Sequence, residues 1–477
     1  MLYNCLITSI LALLISHVAR GQVLQWDPVL DCGPENSGAL RPRIALNAAG
    51  DPVVLWSRSS ELDMFAAVGS DAGFGPAAQI DPAGVDIAAA DWQGPAIDAS
   101  GDTVLVVFKA LPEESAPCYL VRSTDGGHSW GDTMRVDPYD GMVSRFPSVA
   151  IANGGSAVVG YMQFTTGYLE PRQVVCAIMG DTFLPPAPVS APFAPGDVCD
   201  CCTGEVTAAD TRVLALYRNA GGNIRTIWGA TSANGGASFT IGGELDASNW
   251  SLSACPSSGP DAYLAGDSVR YVWMSGAENG SKVFIGSAHA ATLATGPQAN
   301  VHPGQVSSLR QNFPRIAGQG DTLGVVWEQL YAGQREVLFA YSVTGPGGLG
   351  VPDTVNMELG GGQETPDIAF ADGVFHIVWS EPSSGRVRYR RAQLMDDSGI
   401  AADGPLGMMG VRYDAVAEVV RVTGVQVRSA RVMDAAGHEL AAANGPVLSL
   451  LGAASGCYIV LVFTPDGLRH ARRFIKQ

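Results

Sequence analysis

The sequence predicts an all-β chain, and two observations carry that prediction. Among 477 residues there are 58 glycines and 29 prolines but only 16% charged residues, and runs such as DPVVLWS set β-branched and aromatic residues between turn formers. The second observation is a unit that occurs seven times. It reads RPRIALNAAGDPVVLWS (41–57), GPAIDASGDTVLVVFKA (94–110), FPSVAIANGGSAVVGYMQ (146–163), GEVTAADTRVLALYRN (204–219), GPDAYLAGDSVRYVWMS (259–275), FPRIAGQGDTLGVVWEQ (313–329) and TPDIAFADGVFHIVWSE (365–381). Six copies begin at a proline (Pro42, Pro95, Pro147, Pro260, Pro314, Pro366) and the fourth at Glu205, with 52 to 58 residues from one to the next. Each reaches an aromatic 12 to 14 residues on, at Trp56, Phe108, Tyr161, Tyr217, Trp273, Trp327 and Trp379.

Each unit reads as a strand, a Gly/Asp turn and a second strand. A third follows (CYLVRS, IRTIWGA, VFIGSA, VLFAYS, VRYRRA), then a short fourth (AAQIDP, MRVDP, GGELD). Four antiparallel strands at this period make one propeller blade. The expectation is a seven-bladed β-propeller over residues 23–400, six-bladed if two units merge, followed by a small C-terminal β-sandwich. LQWDP at 24–28 is similar to AQIDP and MRVDP, so the N-terminus is expected to supply the last blade's outer strand. Alternating strand direction puts the 1–2 and 3–4 turns at a lower end. The 2–3 loops and the links between blades then lie at an upper end.

Residues 1–22, MLYNCLITSILALLISHVARGQ, read as a signal peptide, with an apolar run of about ten residues before a cleavable VARGQ. No other segment approaches the roughly 18 apolar residues of a spanning helix, so no transmembrane helix is expected. The formal charge of −17 argues against nucleic acid or anionic lipid as partners. An exported monomer, secreted or held on the outer-membrane surface, is expected. Eight cysteines follow the signal peptide, in a compartment where disulfides persist.

STDGGHSW has Ser123, Asp125, Gly127 and Trp130 at fixed offsets, and TSANGGASF repeats them as Ser232, Asn234, Gly236 and Phe239. The pattern resembles the Asp box of sialidase-type propellers. Its Ser and Asp side chains suit backbone N–H groups and its glycines suit positive φ. The boxes fall in 3–4 turns, so they are expected to be structural and to lie at the lower end, away from any site.

Function is therefore expected at the upper end. GDVCDCCTGEV and NWSLSACPSSGPD bring Cys199, Cys201, Cys202 and Cys255 onto adjacent blades, and LALYRNAGGNIRTIW places Arg218, Asn219 and Arg225 between them. This combination resembles a group of bacterial secreted sialidase-like propellers, strongly over 195–290. The cysteines read as one or two disulfides, Cys199 to Cys255 or a vicinal Cys201–Cys202 bridge, with Cys32 as a further partner. A thiolate metal site is the other reading, but C-x-C-C matches no standard structural zinc spacing. Neither a metal nor a cofactor is expected. The remaining upper-end ligand candidates are Arg41, Arg145, Arg310, Glu328, Glu364, Glu381, Trp92 and Trp250.

Sialidase chemistry needs arginines to hold a substrate carboxylate, a Tyr nucleophile with a Glu, and an Asp acid. The Arg-Ile-Pro element of true sialidases is missing here, and no Tyr can be paired with a Glu from sequence. The last 70 residues resemble the C-terminal sorting domain of the type IX secretion system, through ARVMDAAGHEL, SGCYIVLVF and the terminal RRFIK. The resemblance implies a domain at 405–477 that addresses the chain to that machinery. The expected function is glycan recognition, with exo-glycosidase activity open. The alternative is a non-catalytic adhesion or protein-binding propeller.

Overall fold

The computed structural model describes residues 22–396, apart from 35–37, 60, 180, 194–196, 279, 304–309, 332 and 358–359. It also describes 410–476, apart from 415–417, 424–425, 435–437, 455 and 464–468. The proposed signal peptide lies outside these residues, except for Gln22. The chain divides into two units, Gly21–Asp396 and a second containing Asp397–Gln477.

The larger unit holds seven antiparallel sheets of at least four strands each, among the described residues. In the first, Ala39–Leu46, Pro52–Arg58, Met64–Ser70 and Gly73–Phe74 pair in chain order. The next five sheets follow the same order, from Ala96–Ser100 to Asp353–Thr354. The last combines Glu364–Ala371, Val374–Glu381 and Arg386–Asp396 with Gln22–Trp26, which pairs antiparallel along the outer strand. The expected use of the N-terminal strand is thus observed.

All seven repeat aromatics are buried. Each sits on a second strand, where burial of that much apolar surface is the largest local stabilisation. First strands of successive sheets neighbour one another, and that of the seventh sheet neighbours that of the first. Carboxylates tie three of these junctions. Asp98 accepts the N–H of Ile151 at 2.7 Å, Asp261 that of Ile316 at 2.7 Å, and Asp367 that of Ile44 at 3.0 Å. The last bond joins residues 323 apart in sequence and holds the end of the unit to its beginning.

The two ends differ as the strand alternation requires. At the lower end the 3–4 turns of four sheets bond the 1–2 turn of their own sheet. Gly126 N–H donates to Asp102 O, Gly235 to Thr211 O, Ala290 to Asp267 O and Gly345 to Asp321 O, all at 2.8–2.9 Å. Both stretches that resemble an Asp box lie here. Ser123 Oγ accepts from Gly127 N–H at 2.9 Å and Asp125 Oδ1 from Ser129 N–H at 2.8 Å. Ser232 and Asn234 repeat this with Gly236 and Ser238 at 3.1 and 3.0 Å. Gly127, at φ 91°, lies against Val53 so closely that a Cβ would come within 2.9 Å of it.

At the upper end four first strands run past the repeat proline. Proline offers no N–H to the ladder, and these strands bulge there, with Arg41, Phe146, Phe313 and Thr365 at φ 43–55°. Such bulges re-aim the side chains beyond them. The other three first strands start at the repeat position (Glu205) or one residue after it (Ala96, Asp261).

In the C-terminal unit, Gly410–Asp414, Val419–Thr423 and Val447–Ser449 form one sheet. Glu439–Ala443, Ser429–Met433, Gly456–Phe463 and Arg469–Lys476 form another. Alternate residues of both (Val420, Val422, Val432, Leu448, Val460, Val462) share one core. Among the described residues no helix is long and apolar enough to cross a membrane.

Candidate ligand-binding site at the upper end

The bulged strands carry two polar groups to the upper end. In the first, Arg145 stands just before its bulge and pairs with Glu113 at 2.7 Å. Its guanidinium lies 4.4 Å from the Phe146 ring centre, 5.1 Å from Tyr168 and 5.8 Å from Trp92. Gln93 donates to Glu113 at 2.7 Å, and Trp92 meets Phe146 edge-on at 5.4 Å. Burial, and then the hydrogen bond with Glu114, push the Tyr168 hydroxyl up to about 12. Beside this group Asp86, Leu111, Pro112, Glu113 and Glu114 line an open depression of about 480 Å³.

The second group is Glu328, Arg335 and Glu364. Arg335 reaches Glu364 at 2.6 Å and Glu328 at 3.8 Å, and Glu328 also accepts the Thr365 N–H at 3.2 Å. Glu328 is buried, and burial is the main cause that raises its carboxyl to about 7. Thr365 and Arg335 pull in the other direction, while the charges of Glu364 and Asp91 add to the rise. Asp91 therefore lies within electrostatic reach of Glu328 and Arg335, and its neighbour Trp92 belongs to the first group. The 91–92 link thus neighbours both groups.

Beneath them the first strands hold a buried charge cluster. Arg315 pairs with Glu205 at 3.1 Å, Asp261 at 3.0 Å and Asp367 at 3.6 Å. Arg41 and Arg43 lie beside it, and burial lowers the pKa of Arg41 well below its ordinary value, helped by Arg43 and Arg315. Arg41 is buried without a salt bridge to a carboxylate among the described residues.

Several sequence candidates are placed differently from expectation. Arg218 is fully buried, and its three guanidinium nitrogens donate to Ser258 O, Arg225 O and Met274 O at 2.6–3.0 Å. It fixes loops and faces no ligand. Asn219 bonds Ile224 O and Gly221 N–H, and Arg225 donates to Leu252 O, so both are also loop-fixing. Trp250 lies under Arg218 at 5.5 Å and closes on Gly276. Glu381 is in a different cavity of about 300 Å³, with Trp379, Met357 and Arg388. Burial would raise its pKa, but bonds from Ser384, Gln363 and Arg388 outweigh that and hold it low. Arg310 is exposed.

The disulfide joins Cys201 to Cys255, correcting the Cys199–Cys255 and Cys201–Cys202 pairings. Cys199 and Cys202 are free and buried beside it. Cys32 is no partner of theirs; it packs in an apolar core with Trp56 and Val387. Asp91, Glu113, Glu114, Tyr168 and Arg335 were missed from sequence because they fall in links, in 2–3 loops or, for Arg335, at the start of a third strand, outside the repeated unit. The acidic loop LPEESAP and the strand start QREV, each just after a second strand, were the available signal.

No protein-family model matches the chain, and no curated protein matches it in sequence. Among solved structures it is similar to an ulvan lyase of polysaccharide lyase family 25. There the TM-score is 0.51 at 8% identity, covering 77% of this chain and 95% of that one. The lyase bound to -[GlcA(1-4)Rha3S]- gives a TM-score of 0.50, also at 8% identity and with the same coverage. A Trypanosoma rangeli sialidase in complex with sialic acid gives 0.42 at 11% identity, covering 96% of this chain and 89% of that one. The likeness to the lyase shows a propeller fold; at this identity it carries nothing about chemistry.

Proposed function

We propose that the protein is an exported seven-bladed propeller that binds an acidic glycan at the upper end, across the Arg145 and Glu328 groups. The observation that carries this reading is their convergence. An aromatic residue (Trp92), two arginines (Arg145, Arg335) and a set of carboxylates lie at the upper end, where the Asp91–Trp92 link neighbours both groups. Aromatic faces stack on sugar rings, and arginines hold carboxylates or sulfates by charge-assisted bonds.

A second reading, glycoside cleavage, is favoured by Glu328. A carboxyl held near 7 keeps a proton that it can give to a leaving oxygen. The hydrogen-bonded pair Tyr168 and Glu114 supplies two of the residue types of a sialidase-like site. The two Asp boxes are lower-end turn locks in this reading. The C-terminal unit is a β-sandwich that addresses the chain to the type IX machinery, and residues 1–22 are its signal peptide.

The test is to incubate the purified chain with a panel of uronate-, sulfate- and sialate-bearing glycans, and to follow both binding and released sugars. Binding lost in Arg145→Ala supports the site. Release lost in Glu328→Gln, with binding kept, makes the protein a glycosidase. Binding by wild type and Arg145→Ala alike would sink the assignment, and no binding to any acidic glycan would move the reading to a protein-binding propeller.

A further inference from the structure

The four cysteines at the upper links of the fourth and fifth sheets form one sulfur cluster. Cys199 Sγ lies 3.4 Å from Cys202 Sγ and 3.6 Å from Cys201 Sγ, and Cys201 is bonded to Cys255. The ligand atoms of Cys199, Asp200, Cys201 and Cys255 all lie within 4.8 Å of one another, and Cys202 joins this group through Cys199. A tetrahedral thiolate site with metal–sulfur bonds of about 2.3 Å has its sulfurs about 3.8 Å apart. The spacings around Cys199 are already close to that figure.

The surrounding backbone is arranged for thiolates. The Cys201 N–H points at the sulfur of Cys199, and the Ser258 N–H at that of Cys202. Cys202 N–H closes a turn on Cys199 O at 3.2 Å, so Cys199 and Cys202 have the two-residue spacing of half a structural zinc site. A thiolate accepts such N–H bonds well, whereas a disulfide sulfur is a poor acceptor. A second layer fixes the two loops: Arg218 holds Ser258 O at 3.0 Å and Arg225 holds Leu252 O at 3.1 Å. Both arginines also bring positive charge within reach of Cys199, which offsets the negative charge of several thiolates.

We propose that Cys199, Cys201, Cys202 and Cys255 are the ligands of one soft d¹⁰ ion, Zn(II) or Cu(I), taken up when the Cys201–Cys255 bond is reduced. A dithiol reductant opens that bond by supplying two electrons and becomes a disulfide itself, and the protons it loses go to Cys201 and Cys255. Each cysteine sulfur then gives an electron pair to the ion and releases its proton to water. The Cys201–Cys255 disulfide is the metal-free, oxidised form of the same site. This departs from the sequence expectation of no metal, for a reason the spacing C-x-C-C conceals: the turn makes Cys199 and Cys202 the chelating pair, while Cys201 turns toward Cys255.

The full chain, reduced with a dithiol under argon, is offered Zn(II) or Cu(I), freed of excess by gel filtration, and assayed for metal by mass spectrometry. The expected result is about one ion per chain, with the four cysteines protected from alkylation, while Cys118 and Cys176 react equally with and without metal once the chain is unfolded. Cys199→Ser and Cys255→Ser should each retain at least tenfold less metal, and Cys176→Ser should retain it all. The ion that survives challenge by a chelator of the other identifies the species. Failure of the reduced wild type to retain either ion overturns the proposal, as does full retention in Cys255→Ser. So does wild type that keeps Cys201–Cys255 as a disulfide under the same reductant. None of these readouts depends on glycan binding, so this inference and the glycan reading fail separately.

Discussion

The two ends of the same strands are governed by different constraints. At the lower end the turns repeat almost atom for atom. The box at Ser123 uses Asp125 and the box at Ser232 uses the neutral Asn234, yet both accept the same N–H groups. Charge is dispensable there, and geometry is what matters. At the upper end, equivalent positions diverge. Arg218 is locked onto three carbonyls in a dry interior, while Arg145 lies at a surface depression against one carboxylate and three rings. A repeat maintains the first end, and singular loops make the second. The same residue type is scaffold in one blade and a candidate ligand contact in another.

The largest effect should come from removing the scaffold arginine. Arg218→Ala leaves three buried carbonyls without donors and an empty volume, a loss of about 3 kcal/mol or more. Arg145→Ala should cost much less stability and act on glycan binding instead. Denaturant unfolding of both variants checks this, and equal losses would erase the distinction between the two arginines.

Next is the pH dependence of Glu328. Its folded pKa of about 7 is above the ordinary 4.5, so its contribution to stability is full below about pH 4.5 and is lost as pH rises through 7. Glu328→Gln, which resembles the protonated form, should be more stable than wild type at pH 8, by on the order of 2–3 kcal/mol. Near pH 4 the two should converge. A variant less stable than wild type at pH 8 would show that Arg335 compensates the buried charge in full.

The smallest effect belongs to the Ser123–Trp130 turn. Hydrogen bonds from Ser129, first, and Ser123 hold the Asp125 carboxyl down to about 2. The stability it gives is present above the ordinary carboxylate range and fades as pH falls through 2. Asp125→Asn should match wild type in thermal unfolding at pH 7, as Asn234 already does in its own turn, and should lack that acid-linked loss. A clear drop in unfolding temperature at pH 7 would mean that the charge itself is needed.

Much of the fold was legible because a period of about fifty residues cannot be hidden by loop variation. The seven aromatics, the turn glycines and the N-terminal strand all fell where the repeat put them. The site was only half legible. Arg145, Glu328, Glu364 and Trp92 were found at strand ends, but Arg218 looked identical to them in sequence. Burial separates these residues, and burial depends on which loops cover them. Tyr168 and Glu114 could not be paired because they belong to different sheets.

Composition and periodicity by themselves determined an all-β chain of repeated four-stranded units, its end-to-end polarity and the closeness of four cysteines. Only the tertiary structure decided which cysteines bond, which arginines face solvent and which carboxylates share a charge. The physical reason is range. Strand pairing and turns are read from neighbours in the chain, whereas desolvation and coulombic coupling depend on residues that closure of the sheets brings together from far apart.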